Sequence, residues 1–325
     1  MNLPPSSSAV SKRPLLSVVV TVYQGSNMLE RTIPEIFSSL ATLLPETDVE
    51  IVAVDDGSTD NSYPCLLALR EHFASKMRVI RLTRNFGAIT ALQAGIDYAR
   101  GDCITSISQD LQDTPAMVAA MFRSWQAGSK ANFIVRTSKR DESFAKKMLA
   151  NLYHLLFRRY AMPNYPVHGL GVCLMDRQIA DELRTHRQHN IDLATYIFSL
   201  GYPCSLHPFP RPAPQKRSNW TLAKNAKLAI DNFVNFSYFP IRLMSALGLT
   251  VATGGFVFAF YVFLGKLTSW YVISQPPGWA TIIILLTVLS GLVMLMLGVI
   301  GEYLWRIADA VKNRPLYVVG EIHED

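Results

Sequence analysis

Cysteine is scarce. The 325 residues hold four, Cys65, Cys103, Cys173 and Cys204, spread far apart and without a Cys-x-x-Cys pair. That excludes the common zinc-finger spacings and a disulfide-built scaffold. No Gly-x-Gly-x-x-Gly follows the first predicted strand, and no Gly-x-x-x-x-Gly-Lys-Ser/Thr occurs, so the two familiar glycine-rich phosphate cradles are missing. No internal repeat is present, and no His stands with Ser or Cys in a recognisable nucleophile arrangement. Residues 1–14 have proline and serine but no apolar core, which reads as a disordered tail and not as a leader.

Charge is also missing from two long stretches, Leu243 to Gly265 and Leu267 to Gly301. A membrane span needs roughly 20 mostly apolar residues, and each stretch can supply one. The expectation is a two-helix hairpin over residues 241–305, following a domain of ordinary water-soluble composition. The net charge is +6. Arg242, Arg306, Lys312 and Arg314 flank the outer ends of the two stretches, whereas the connection holds only Lys266 beside Trp270, Tyr271 and Trp279. Basic residues mark the cytoplasmic side and aromatic residues the interface, so the N-terminal domain and residues 306–325 are expected in the cytoplasm. Residues 219–240 mix Trp220, Leu222 and Phe233 with Lys224 and Lys227, as suits an amphipathic helix on a lipid surface. Gly254, Gly255, Gly291 and Gly298 allow close helix approach, so a homo-oligomer is expected, and no nucleic-acid partner.

The region 15–218 alternates strands and helices. Leu15–Val22, Val49–Val54, Met77–Leu82 and Cys103–Ile107 are short apolar runs rich in β-branched residues, the pattern of strands covered on both faces. Helical stretches separate them, the first interrupted near Pro34. Asn132–Val135 and His168–Met175 are further strand candidates, and residues 142–160 form a basic amphipathic helix. This order predicts an α/β fold with a mostly parallel sheet and helices on both sides. Ligands of such sheets bind at the carboxyl ends of the strands. Tyr23 follows the first run, Asp55-Asp56-Gly57-Ser58 the second, and Ser108-Gln109-Asp110-Leu111-Gln112-Asp113-Thr114-Pro115 the fourth. Carboxylate and amide oxygens suit Mg²⁺ or Mn²⁺ on a diphosphate, an aromatic ring can stack on a base, and Asp113 is expected to cap the helix that Pro115 opens.

Together with Arg84-Asn85-Phe86-Gly87, Ser218-Asn219-Trp220 and Phe236-Ser237-Tyr238-Phe239-Pro240, these motifs resemble the polyprenyl-phosphate glycosyltransferases of the inverting family with the GT-A fold, a Rossmann-like architecture. The likeness runs from Leu15 to about Arg314. It implies transfer of a sugar from a UDP- or GDP-linked donor to a polyprenyl phosphate at a bacterial inner membrane. Residue by residue, it implies that Tyr23 and Asp55 frame the base, Asp56 supports the ribose or a loop, and Arg84 lies by the donor. Asp110 and Gln112 would hold the metal and diphosphate, Arg136 and Arg140 the acceptor phosphate, and Arg211 and Arg217 would close over the donor. The chain departs from the pattern at Ser108, where an acid is usual, at Gln24-Gly25, and at Lys216. Two other readings stay open: a glycosyltransferase with another lipid acceptor, and a non-catalytic membrane-bound subunit that binds a sugar nucleotide.

Overall fold

The computed structural model describes residues 13–136, 144–167, 169–186, 192–209, 236–237, 239–267, 278–312 and 314–323. The first run forms β1 (Leu15–Val22), buried along nearly its whole length. Beside it lie β2 (Asp48–Asp55), β3 (Met77–Leu82) and β4 (Cys103–Ser106). The sheet is completed by β5 (Ala131–Arg136), β6 (Cys173–Asp176), β7 (Cys204–Phe209) and β8 (Val319–His323). Its order is β7-β5-β6-β4-β1-β2-β3-β8. The pairs β4-β1, β1-β2, β2-β3 and β5-β7 are parallel, while β6 and β8 run against their neighbours. The expected mostly parallel α/β sheet is therefore present.

Alternation along β1 divides the core. Leu16, Val18, Val20 and Val22 face α1 (Ser26–Leu43), α2 (Ser62–Phe73) and α4 (Pro115–Gln126). Val19 faces the other way, with Val52, Val54 and Ile80, towards α3 (Ala88–Tyr98), α6 (Arg177–Thr185) and α7 (Leu193–Ser199). Each fully buried Val, Leu or Ile contributes about 1.5–3 kcal/mol, so β1 is the strand on which both layers depend. Contact on the α3 side is close enough to require glycine: a Cβ at Gly95 would lie 2.2 Å from Val19 Cγ1.

Three sequence expectations shift. The first helix runs through Pro34 without a break. The strand expected from His168 starts only at Cys173, because Gly169 takes a left-handed φ of 73°. In residues 306–325, where no strand is expected from the sequence, Val319–His323 adds an antiparallel strand to β3. A glycine within five residues weakens the strand signal there.

A second unit comprises residues 149–164 and 226–314. It contains most of α5 (Phe144–Tyr160), together with α8 (Phe239–Leu267) and α9 (Trp279–Lys312). Within it Tyr160 stacks on Phe239 at 4.0 Å. Ser237 Oγ donates to Tyr160 O at 3.0 Å and accepts from Phe239 N at 3.1 Å. Tyr303 OH donates to Ser237 O at 3.3 Å. Among the described residues one segment, Leu289–Ala308, is a helix long and apolar enough to cross a membrane. The expected pair of spans is thus met by one. The other uncharged stretch is helical as α8.

At the amino ends of the strands, Glu50 and Arg78 form a buried pair at 3.0 Å. Glu50 also accepts from Ser17 Oγ and from the backbone N–H of Arg100 and Gly101. Removing one partner of such a pair leaves the other charge buried alone. Glu50→Ala is therefore expected to destabilise the protein by about 3 kcal/mol, read as a lowered thermal midpoint of the purified full chain.

Candidate active site

The strands β1, β2 and β3 end in register, Val22 beside Asp55 and Asp55 beside Arg81. The last residue of β4, Ser106, pairs with Val19. Because these strands are parallel, the loops after them share one rim. β5 runs in the same direction as β4, since both are antiparallel to the β6 between them. Arg136 therefore ends its strand at that rim, opposite Phe209 of β7. The loop that carries Arg211 and Arg217 leaves β7 there, but Arg140, Arg211, Arg217 and residues 219–235 lie outside the described residues.

Asp55 and Asp56 occupy the middle of the rim and are both buried. Asp56 is fully used: its Oδ1 accepts from Phe86 N at 2.7 Å and its Oδ2 from Gly87 N at 2.9 Å. It thereby fastens the Arg84–Gly87 loop beside the loop after β2. Gly57 locks the same junction, with a φ of 65° and no room for a Cβ, which would lie 2.4 Å from the Arg84 carbonyl carbon. Arg84 is exposed, its guanidinium 4.1 Å from the centre of the Phe86 ring.

Asp55 is used only in part. Its Oδ1 accepts from Ser58 N at 3.3 Å, whereas its Oδ2 is buried without a hydrogen-bond partner. The nearest cation, Arg81 Nε, stands 3.7 Å away. Burial is the largest influence on Asp55 and pushes its pKa above the ordinary carboxylate value, against the lowering effects of Ser58 and Arg81. Burial also raises Asp56, against its bonds to Phe86 and Gly87.

The first loop hangs on the second. Gln24 N donates to Ser58 Oγ at 3.1 Å, Gly25 N to Ser62 Oγ at 2.9 Å, and Ser26 N to Asp60 Oδ2 at 3.2 Å. Tyr23 is left 45% exposed, its ring available to a flat ligand. The third loop joins through Gln109, whose Nε2 donates to Tyr23 O at 3.4 Å and whose O accepts from Thr32 Oγ1 at 2.8 Å. Leu111 turns this loop at a φ of 54°, a left-handed conformation that costs about 1–2 kcal/mol for a residue with a side chain. Asp110 Oδ1 accepts from Gln112 N at 3.2 Å. Thr114, not Asp113, holds the N-cap position of α4, and Asp113 is buried.

Asp55 at the end of β2, and Tyr23, Asp56, Arg84, Asp110 and Gln112 on the loops, thus lie along one rim, with Arg136 at the end of a strand on the same side. Sequence reading missed Arg81 and gave Gln109 no role; Ser108, read as the departure at the metal-loop position, has a buried Oγ, and Gln109 a buried Oε1, with no hydrogen-bond partner. Arg81 was hidden because a lone charge at a strand end reads as solvated. Among the described residues no three His, Cys, Asp or Glu side chains gather as a metal cage. One carboxylate, the Gln112 amide and the unpartnered Ser108 hydroxyl still fit a hard cation that takes its other ligands from water and phosphate. On the α3 side, a cavity of about 260 Å³ is lined by Ile89, Ser106, Leu170, Val172, Asp192 and Leu193, among others.

The profile of the family described as glycosyl transferase family 2 matches residues 17–184. The chain is 33% identical over 308 residues to an uncharacterized glycosyltransferase, YkcC, of Bacillus subtilis (strain 168), covering 93% of this chain and 92% of that one. It is 29% identical to the uncharacterized glycosyltransferase sll0501 of Synechocystis sp., over 94% of this chain and 95% of the other. It is 28% identical to the SfII prophage-derived bactoprenol glucosyl transferase of Shigella flexneri, over 95% of this chain and 98% of the other.

Two outcomes follow from the rim geometry. Gly57→Ala is expected to lower the thermal midpoint by the equivalent of at least about 2 kcal/mol, because both φ and the Arg84 backbone oppose the methyl group. For Asp55 the sign runs with its raised pKa. The folded chain holds the proton more readily than the unfolded one, so this group favours folding fully below its ordinary value of 3.8 and loses that contribution as pH rises through the raised value. Asp55→Asn is accordingly expected to melt above wild type at pH 7, with the advantage shrinking as the melts are repeated towards pH 4.

Proposed function

Because the chain belongs to glycosyl transferase family 2, we propose that it moves a sugar from a nucleoside-diphosphate donor to a polyprenyl phosphate at a membrane surface, with inversion. The observation that carries this reading is the buried Asp55 Oδ2 at the carboxyl rim, which accepts no hydrogen bond and has Arg81 Nε only at 3.7 Å, together with the exposed Tyr23 ring that follows the neighbouring strand. A buried acceptor that the fold leaves open suits a base N–H, and an aromatic face beside it suits the base itself. The relative named for bactoprenol, which spans nearly the full chain, supports a polyprenyl-phosphate acceptor. The exposed Arg84, with Arg211 and Arg217, would serve the donor, while Arg136 and Arg140 would grip the acceptor phosphate in the bidentate manner of guanidinium groups.

The acceptor needs little activation. A phosphate monoester has its second pKa near about 6, so its oxygen is already anionic at neutral pH. That oxygen attacks the anomeric carbon from the face opposite the diphosphate. A new carbon–oxygen bond forms, the bond to the diphosphate breaks, and the leaving group departs with the electron pair. No proton has to be removed from the nucleophile, which fits a rim without a histidine base among its described loops. Asp110, with Gln112 and Ser108, would hold Mg²⁺ or Mn²⁺, which when bound offsets charge on the diphosphate. α8 and α9 would form the membrane hairpin, multi-pass in a bacterial inner membrane with the sheet domain on the cytoplasmic side, and would pair between copies in a homo-oligomer.

Incubating membranes that contain the protein with undecaprenyl phosphate and a panel of radiolabelled UDP- and GDP-sugars is expected to label the lipid fraction. Asp110→Ala should cut that transfer at least about a hundredfold, the usual scale for losing one electrostatic stabiliser of a reacting centre. No labelled lipid with any donor would overturn the reading.

A further inference from the structure

The C-terminal strand reaches the flank of Asp55. Arg81 and Glu321 face each other across the β3-β8 pair. Arg81 Nη1 donates to Glu321 Oε1 at 3.2 Å, and its guanidinium carbon lies 4.4 Å from the centre of the Tyr63 ring. Tyr63 OH donates to Glu321 Oε2 at 2.9 Å and meets His323 Nε2 at 2.8 Å. Two side chains, Glu321 of β8 and Tyr63 of α2, therefore fix the position of the Arg81 guanidinium, and His323 braces them through Tyr63.

That position is unusual for an arginine beside a buried carboxylate. Arg81 Nε is 3.7 Å from Asp55 Oδ2, near enough for Coulomb attraction and too far for a hydrogen bond. A guanidinium free to move would close on Asp55 in a bidentate pair. Here the opposite branch of the fork is held by Glu321, and the ring of Tyr63 supports its face. The side chains of Arg81 and Glu321 are 37% and 50% exposed, and exposed pairs add little to stability. The consequence of this pair is geometric.

We propose that Glu321 is a positioning residue for the nucleotide pocket: with Tyr63 it holds Arg81 back from Asp55, so that Asp55 Oδ2 stays open to a base N–H. The inference rests on the reading of the rim as a nucleoside-diphosphate site. It gives the last strand of the chain a part in donor recognition, although the strand lies outside the matched family segment, residues 17–184.

The test is calorimetry on the purified full chain in detergent, with UDP and GDP in the presence of Mn²⁺, and with Mn²⁺-pyrophosphate as a ligand that lacks the base. Glu321→Ala is expected to weaken binding of the nucleotide that wild type prefers by about tenfold, the scale of coupling between contacting side chains. Tyr63→Phe, which removes only one hydroxyl, should act in the same direction by about threefold. Pyrophosphate binding should stay within about twofold. The effect of Glu321→Ala should vanish in an Arg81→Ala background, because it acts through that guanidinium. Unchanged nucleotide binding in Glu321→Ala, or an equal loss for pyrophosphate, would overturn the proposal alone. Failure of wild type to bind either nucleotide would overturn the nucleotide site itself and the proposal with it.

Discussion

Two adjacent carboxylates are buried at the end of β2, and most of the rim is arranged around that fact. Burying a charge is unfavourable unless hydrogen bonds or an opposite charge replace the lost water. Asp56 is compensated by the fold alone, through the Phe86 and Gly87 amides. In return it fixes the loop between β3 and α3. Asp55 is compensated only on one oxygen and by a cation held at a distance. The same desolvation that disfavours a charged Asp55 would strengthen a bond donated to its open oxygen, because little water competes for it there. On the proposed reading the rim gives up stability to gain recognition, as binding sites commonly do.

The sheet makes that arrangement reproducible. With β1, β2 and β3 in parallel register, the residue at the end of each strand has a defined neighbour on the next. The loops then hold one another. Ser58 and Ser62 accept from the first loop, and Gln109 ties the third loop to the first. Little of this fixing comes from the loops' own conformational preferences. Leu111 takes a left-handed backbone without being glycine, which persists only where surrounding contacts over-determine it. Strain at that point marks the turn that sets Asp110 and Gln112 at the end of the fourth strand's loop.

What could be read from the sequence followed the strength of the local pattern. β1 to β4 are continuous β-branched runs bounded by polar turns, and their positions emerged within a residue or two. The acidic loops were legible because their place after those runs puts them on one rim. β8 was not, since Val-Gly-Glu-Ile-His has neither length nor a clean alternation, and its partner lies some 240 residues earlier in the chain. Arg81 was illegible for the same reason: its meaning comes from Glu321 and Tyr63, which only the long-range pairing brings to it. The N-cap of α4 was missed by one residue. Asp and Thr both favour that position, and what settles the choice is the extended backbone at Thr114. Ser108 read as a weakened ligand, and in the fold it is also a buried hydroxyl with an unmet hydrogen-bonding capacity.

An exposed sheet edge is a hazard that proteins cover or charge. β8 covers the edge of β3 and presents Glu321 on it, so the pairing has a structural reason independent of any ligand. That reason alone does not require the particular side chains found there. A strand added only for cover could place any polar residue opposite Arg81, and Tyr63 would have no need to reach it. Instead Glu321 uses both carboxylate oxygens, one on Arg81 and one on Tyr63. Tyr317 adds a second anchor, donating to Asp97 Oδ2 at 2.6 Å. This much specific bonding on a short edge strand, one residue away from a buried acceptor left open, ties the end of the chain to the chemistry of the rim.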